Sequence, residues 1–232
     1  MPVTVSQLTI APVKGMRLQS TSEIRLGQHG VIGDREFLVI GEDGQLLLTT
    51  RTPALLHIEP AWDRAREVLA LRFPDGNVVQ DTPEPRASAV TRTYDGREIP
   101  GWIIPGPLSA ALSGYPGREV RLFRREPEHL GHDDQAVTLM SEASLKALAP
   151  ELDGTAPDPR RFRMTITMTG TDAWAEHGWG RQKVSIGEAI VRVIAPVPRA
   201  TPCTARAAVS QAASVASPPA RLASVNRPIP NR

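Results

Sequence analysis

Apolar and polar residues alternate along most of this chain with a period of two, the spacing that sends every second side chain to one face of a strand. The runs VTVSQLTI, TSEIRLGQHG, REFLVIGEDGQLLLT and EVLALRFPDGNVVQ repeat the pattern within the first 80 or so residues. Gly41-Glu42-Asp43-Gly44 and Pro74-Asp75-Gly76-Asn77 interrupt such runs and carry hairpin-turn chemistry, with glycine supplying positive φ and Asp tolerating it. From Arg118 the same texture returns in REVRLFRRE, QAVTLM, FRMTITMTG, RQKVSIG and EAIVRVIAP. Helical spacing is rarer. Pro107 to Ser113 is expected to form a short helix, and Ser141 is placed to cap a second whose apolar positions are Leu145, Leu148 and Leu152. Residues 81–117, rich in Pro, Gly and Ser, read as a connector. The expected fold class is mainly β (α+β).

Composition narrows the setting. A chain of 232 residues with 41% hydrophobic side chains can build a real core. No apolar run approaches the roughly 20 residues a membrane helix needs, and the N-terminus begins like a strand rather than a signal. A cytoplasmic protein without a membrane partner is expected. The formal net charge is only +2, and from Thr201 onward there are four arginines with no Asp, Glu or Lys, which leaves 23 basic and 25 acidic side chains in residues 1–200. Nothing there suggests a nucleic-acid partner. Phosphate loops of the Walker or GxGxxG type are absent, as is a hydrolase nucleophile elbow. His129, His132, Asp133 and Asp134 lie together, but no closing ligand pair at zinc-like spacing accompanies them, so they read as a polar loop. Trp174 and Trp179 flank Ala175 to Gly178 and suit either a pocket wall or the core. Cys203 is the single cysteine, open to packing, nucleophilic chemistry or service as one soft metal ligand.

Several motifs together resemble one family. They are Ile10-Ala11-Pro12-Val13-Lys14-Gly15, Gly30 to Val39, Leu48-Thr49-Thr50-Arg51, Val137 to Leu145, Arg160 to Met164, Glu176-His177-Gly178-Trp179, Ile186 to Ala189 and Pro196-Val197-Pro198-Arg199. In this order they resemble the two-part MOSC proteins, named for the C-terminal domain of the molybdenum-cofactor sulfurase, and in particular the amidoxime-reducing type. The resemblance implies an N-terminal β-barrel-like domain over residues 1–117, connector included, followed by a MOSC β-barrel over 118–203. Residues 204–232, dominated by Ala, Ser, Pro and Arg, are expected to be a flexible tail, and the last barrel strands to be missing, as in an out-of-frame or shortened continuation.

The resemblance also implies a site. Molybdopterin offers a phosphate, a hydrogen-bonding pterin and a metal-holding dithiolene, so arginine forks, a lysine charge and a soft sulfur suit it. The matching positions here are Lys14, Arg35 and Arg163, with Arg51 and Ser141 as neighbours. Taken singly, each is an ordinary surface side chain. The family's metal-ligating cysteine follows the Pro-x-Pro-Arg run directly, where this chain has Ala200, so Cys203 is the remaining candidate for metal ligand and catalytic thiolate. The implied activity is molybdenum-dependent reduction of N-hydroxylated compounds, with electrons from a separate donor protein. Sulfur transfer through a Cys203 persulfide, with pyridoxal phosphate as an associated cofactor, and a non-catalytic or inactive cofactor binder are the alternatives.

Overall fold

The computed structural model describes residues 2–197, apart from 116, 134 and 153, together with the backbone of 211–215 and 220–223. It is mainly β with few and short helices. In chain order the first strands are β1 (Thr4–Ile10), β2 (Gln19–Thr21), β3 (Glu23–Gly27), β4 (Gly30–Val31) and β5 (Phe37–Gly41). Next come β6 (Glu59–Asp63), β7 (Val68–Arg72), β8 (Val78–Asp81), β9 (Ala87–Arg92), β10 (Glu98–Ile104), α1 (Pro107–Gly114) and β11 (Val120–Arg125). The remainder is β12 (Val137–Ser141), α2 (Glu142–Lys146), β13 (Ile166–Thr169), β14 (Lys183–Ile186), β15 (Ala189–Pro196), β16 (Gln211–Val215) and β17 (Ala220–Ala223).

These elements form two interleaved units. One comprises residues 1–9, 20–32 and 134–232, the other residues 10–19 and 33–133. The expected boundary near residue 117 is not where the contacts divide, because β1 and β3 join the sheets of the C-terminal half.

The continuous stretch 33–133 supplies most of the second unit, with sheets β5-β11-β10-β9 and β6-β7-β8. β5 is buried on both faces, and its alternation explains how. Phe37 and Val39 join Trp62, Leu69, Leu122 and Leu108 in one cluster, while Leu38 and Ile40 join Ile99 and Phe123 in another. The Pro74–Asn77 hairpin forms as expected, Phe73 N–H donating to the Asn77 carbonyl at 2.8 Å with Gly76 at φ 88. α1 begins on Pro107, where the missing amide proton is harmless. The connector reading of 81–117 is corrected, since it contains β9 and β10. Proline and glycine in the middle of β10 argued against a strand. Pro100 is nonetheless accommodated opposite Val90, and its carbonyl accepts from the Glu126 amide at 2.9 Å.

The other unit holds the sheet β14-β15-β16-β12-β13-β1-β2 and the smaller sheet β17-β3-β4. β15 buries Ala189, Val191 and Val193 and exposes the residues between them. α2 starts at Ser141 as expected but ends at Lys146, and a 3-10 turn at Ala149–Glu151 follows because Pro150 cannot continue an α-helix.

The absence of closing strands and a flexible tail throughout 204–232 are likewise corrected. β16 pairs antiparallel with both β15 and β12, and β17 pairs with β3. Large apolar side chains were the wrong criterion here. A strand inserted between two ladders satisfies backbone groups on both sides, which small residues can do as well as large ones. Amides 191–195 should therefore exchange slowly with deuterium; rapid exchange there would mean that β15 is an open edge.

Candidate functional site

The loop after β1 is zipped along the segment that leads into β5. Arg35 N–H donates to the Ala11 carbonyl at 2.7 Å, Phe37 N–H to Pro12 at 3.0 Å and Lys14 N–H to Phe37 at 2.8 Å. Gly15 turns the chain at φ 87, where any Cβ would press on Thr49 Cγ2. The Leu48–Thr52 turn that carries exposed Arg51 therefore packs beside Gly15, the residue after Lys14. Lys14 is mostly enclosed, 11% exposed, and its Nζ donates to the Gly131 carbonyl at 2.7 Å and to Asp133 Oδ1 at 2.6 Å. Burial lowers its pKa, against the opposing pull of Asp133.

Beside it lies a buried carboxylate. Asp34 is fully buried; its Oδ1 accepts the Ala11 amide at 2.6 Å, and its Oδ2 meets Arg35 Nη1 at 2.5 Å and His132 Nε2 at 3.0 Å. Burial alone would raise the Asp34 pKa, yet Arg35 and His132 outweigh it and hold the group well below the usual carboxylate range. His132 is pushed down to about 4, chiefly by burial and then by Arg35, so it is neutral near pH 7.

The Gly131–Asp133 segment, which holds Lys14 and reaches Asp34 through His132, is itself gripped. Arg97 donates from Nη1 to the Leu130 carbonyl at 2.8 Å and from Nη2 to that of His132. Arg125 binds the carbonyls of Arg35 at 2.9 Å, His129 at 2.6 Å and Asp34 at 3.3 Å. Gly131 has to be glycine because a Cβ would collide with the Arg35 carbonyl oxygen.

Ser141 and Arg163 lie in the other unit. Ser141 is fully buried, its Oγ accepts the Ser144 amide at 2.9 Å as the cap of α2, and its own amide donates to Glu176 Oε1 at 3.1 Å. Glu176 Oε2 is buried and has no hydrogen-bond partner among the described residues. Arg163 follows a 3-10 turn, between the buried side chains of Phe162 and Met164. Trp174 packs against the cluster of Met140, Leu145 and Phe162, so it serves the core. The structure thus brings Lys14 and Arg35 into one network and shows Arg51 on the neighbouring turn. Cys203 lies outside the described residues, and among those described no group of three His, Cys, Asp or Glu side chains could hold a metal.

Residues 2–97 match the family model for the MOSC N-terminal beta barrel domain, and residues 126–224 match the model for the MOSC domain. The chain belongs to the MOSC family. This MOSC protein is 28% identical over 203 residues to the mitochondrial amidoxime-reducing component 1 of Xenopus laevis, covering 75% of this chain and 58% of that one. It is 27% identical over 205 residues to the human protein of that name, covering 76% and 59%. Against the molybdenum cofactor sulfurase of Danio rerio it is 24% identical over 224 residues, which is 82% of this chain and 27% of the sulfurase. The chain thus spans less than two thirds of each of these relatives. The MOSC match runs through residue 224, past the change in texture at Thr201, so the out-of-frame reading of the tail is withdrawn.

Two of the MOSC protein's candidate residues share a backbone signature. Arg35 and Arg163 have φ of 46 and 53, in the left-handed region that arginine rarely adopts. Strain of this kind, about 1–3 kcal/mol per residue, persists where the surroundings over-determine it and clusters at functional sites. Glycine should therefore be tolerated better than alanine: Arg163→Gly should be more stable than Arg163→Ala by about 1 kcal/mol in urea unfolding, the reverse of the usual order. Alanine proving the more stable would remove the strain argument.

Sequence motifs point to Arg35 and not to Asp34, and His132 and Asp133 read as part of a polar loop, whereas the structure places all three in the network. The available signal was an acid directly before an arginine in one segment and a His-Asp pair in another, both within a protein whose interior offers few charges. No helix among the described residues is long and apolar enough to cross a membrane.

Proposed function

We propose that this MOSC protein binds a molybdenum cofactor and reduces N-hydroxylated compounds such as amidoximes. The observation that carries the reading is the enclosed pair Lys14 and Arg35, two cations from segments zipped to each other, Lys14 held at residues 131 and 133 and Arg35 at Asp34. Such a pair suits the anionic end of molybdopterin: an ammonium gives a point charge, and a guanidinium gives directional N–H groups toward phosphate oxygens. Arg163, Ser141 and Arg51 are proposed as further contributors, and Cys203 as the metal's cysteinyl ligand. When bound, the cofactor supplies the two-electron reduction, in which an amidoxime takes up two electrons and two protons, its N–O bond breaks, and an amidine and water leave. The chain's own part is to hold the cofactor's charge, keep it oriented and limit water. Electrons are proposed to come from a separate donor protein.

Metal and pterin analysis tests this after expression in a host that makes the cofactor. Near-stoichiometric molybdenum and pterin, with amidoxime reduction by a reduced viologen dye, is the expected result; a chain without pterin defeats the reading. Lys14→Ala and Arg35→Ala should each lower pterin content about tenfold or more, since charge-assisted hydrogen bonds contribute about 1.5–3 kcal/mol apiece. Cys203→Ala should abolish turnover while most of the pterin stays bound. The sulfurase relative, whose match covers 82% of this chain, favours a second reading as a sulfur carrier through a Cys203 persulfide. A persulfide detected on Cys203 without bound metal would support it instead.

A further inference from the structure

Asp34 has two carboxylate oxygens and three donors arranged around them. The Ala11 amide takes Oδ1, while Arg35 Nη1 and His132 Nε2 share Oδ2 at 2.5 and 3.0 Å. An arginine beside a carboxylate ordinarily closes a two-point fork, which would commit a second guanidinium nitrogen. Here the second point is closed: the Ala11 amide holds Oδ1, and on Oδ2 the His132 imidazole sits beside Arg35 Nη1 where a second guanidinium nitrogen would otherwise come. Among the described residues, Asp34 Oδ2 is the one acceptor found for the Arg35 guanidinium.

The geometry points to His132 as a positioning residue for Arg35: by sharing Asp34 Oδ2 while the Ala11 amide holds Oδ1, it keeps the guanidinium to a single contact, so that its other nitrogens remain available to an anion of the phosphate class. This rests on the reading above that Arg35 binds the cofactor's anionic end. The imidazole is placed with little freedom. Arg97 Nη2 binds the His132 carbonyl, Arg125 binds that of His129 at 2.6 Å, and Gly131 lies directly against the Arg35 carbonyl. A neutral imidazole is also the right chemical form for this role. It donates one hydrogen bond to Asp34 without adding a third cation beside Arg35 and Lys14, which would oppose Arg35.

Pterin content per chain in the full-length protein, purified from a cofactor-producing host, tests the assignment. His132→Gln places an amide N–H where Nε2 stood and should retain pterin within about twofold of wild type, whereas His132→Phe fills the space without a donor and should lose about tenfold, as expected for a hydrogen bond to a charged group. A double-mutant cycle separates positioning from simple scaffolding. In an Arg35→Lys background no fork exists to be restrained, so His132→Phe should then have no further effect, while a purely structural histidine would lower retention in both backgrounds. Should His132→Phe fail to fold, His132→Asn, whose shorter amide falls short of Oδ2, takes its place in the cycle. Equal losses in the two backgrounds, or full retention by the Phe or Asn variant while Arg35→Ala loses pterin, would overturn the role of His132 alone. Retention by Arg35→Ala would instead overturn the anion site, and this inference with it.

Discussion

Asp34→Ala should destabilise the second unit by about 3–5 kcal/mol, the range seen when one member of a buried charged pair is removed and its partners are left without compensation. The carboxylate is fully buried and serves the Ala11 amide, Arg35 and His132 at once, so its loss strands a backbone donor and a guanidinium together. Against a usual total of about 5–15 kcal/mol, that is enough to bring the fold close to its limit. Asp34→Asn keeps an acceptor for Ala11 and should fall between the two. Urea unfolding decides the point, and an alanine variant within about 1 kcal/mol of wild type would show that the network does not rest on this carboxylate.

Mild acid should weaken the protein before ordinary carboxylates titrate, and His132 is the reason. Its pKa falls from 6.5 in the unfolded chain to about 4 in the folded one. Between those values the unfolded chain binds the proton and the native chain does not, so the stabilisation is fully present above about pH 6.5 and is lost as pH falls toward 4. The whole effect is as much as about 3 kcal/mol. The groups facing the imidazole act in both directions: Arg35 and Lys14 oppose its protonation and Asp34 favours it, with burial the largest influence. Asp34 adds a loss of the same sign in stronger acid, since its own pKa is depressed. Unfolding midpoints measured from pH 7 to pH 4 should drop steeply in wild type and much less in His132→Gln. Parallel curves would assign the acid sensitivity to other groups.

Much of this architecture is legible in alternation alone. β1, β3, β5, β7, β11 to β15 and both helices lie where apolar spacing, turn residues or a capping serine place them. The failures have specific causes. Pro100 and Gly101 disguised β10, and a tail of small residues concealed β16 and β17, whose pairing depends on backbone groups that no side-chain pattern announces. For the site, Lys14 and Arg35 were recovered through family motifs. Asp34 and His132 were missed because their meaning is three-dimensional. The two are 98 positions apart in sequence and 3.0 Å apart in space, and only burial distinguishes His132 from a histidine in a solvated loop.

The interleaving of the two units also bears on synthesis at the ribosome. Residues 10–19 and 33–133 are complete once a little over half the chain has emerged, so that unit has all its strands early. β1 and β3 emerge first of all and have one neighbour each close behind them, β2 and β4, but their second neighbours, β13 and β17, begin only at Ile166 and Ala220. For most of translation two of the earliest strands therefore each keep one open edge, and this interval is when the nascent chain is most exposed to off-pathway strand pairing and most in need of a chaperone.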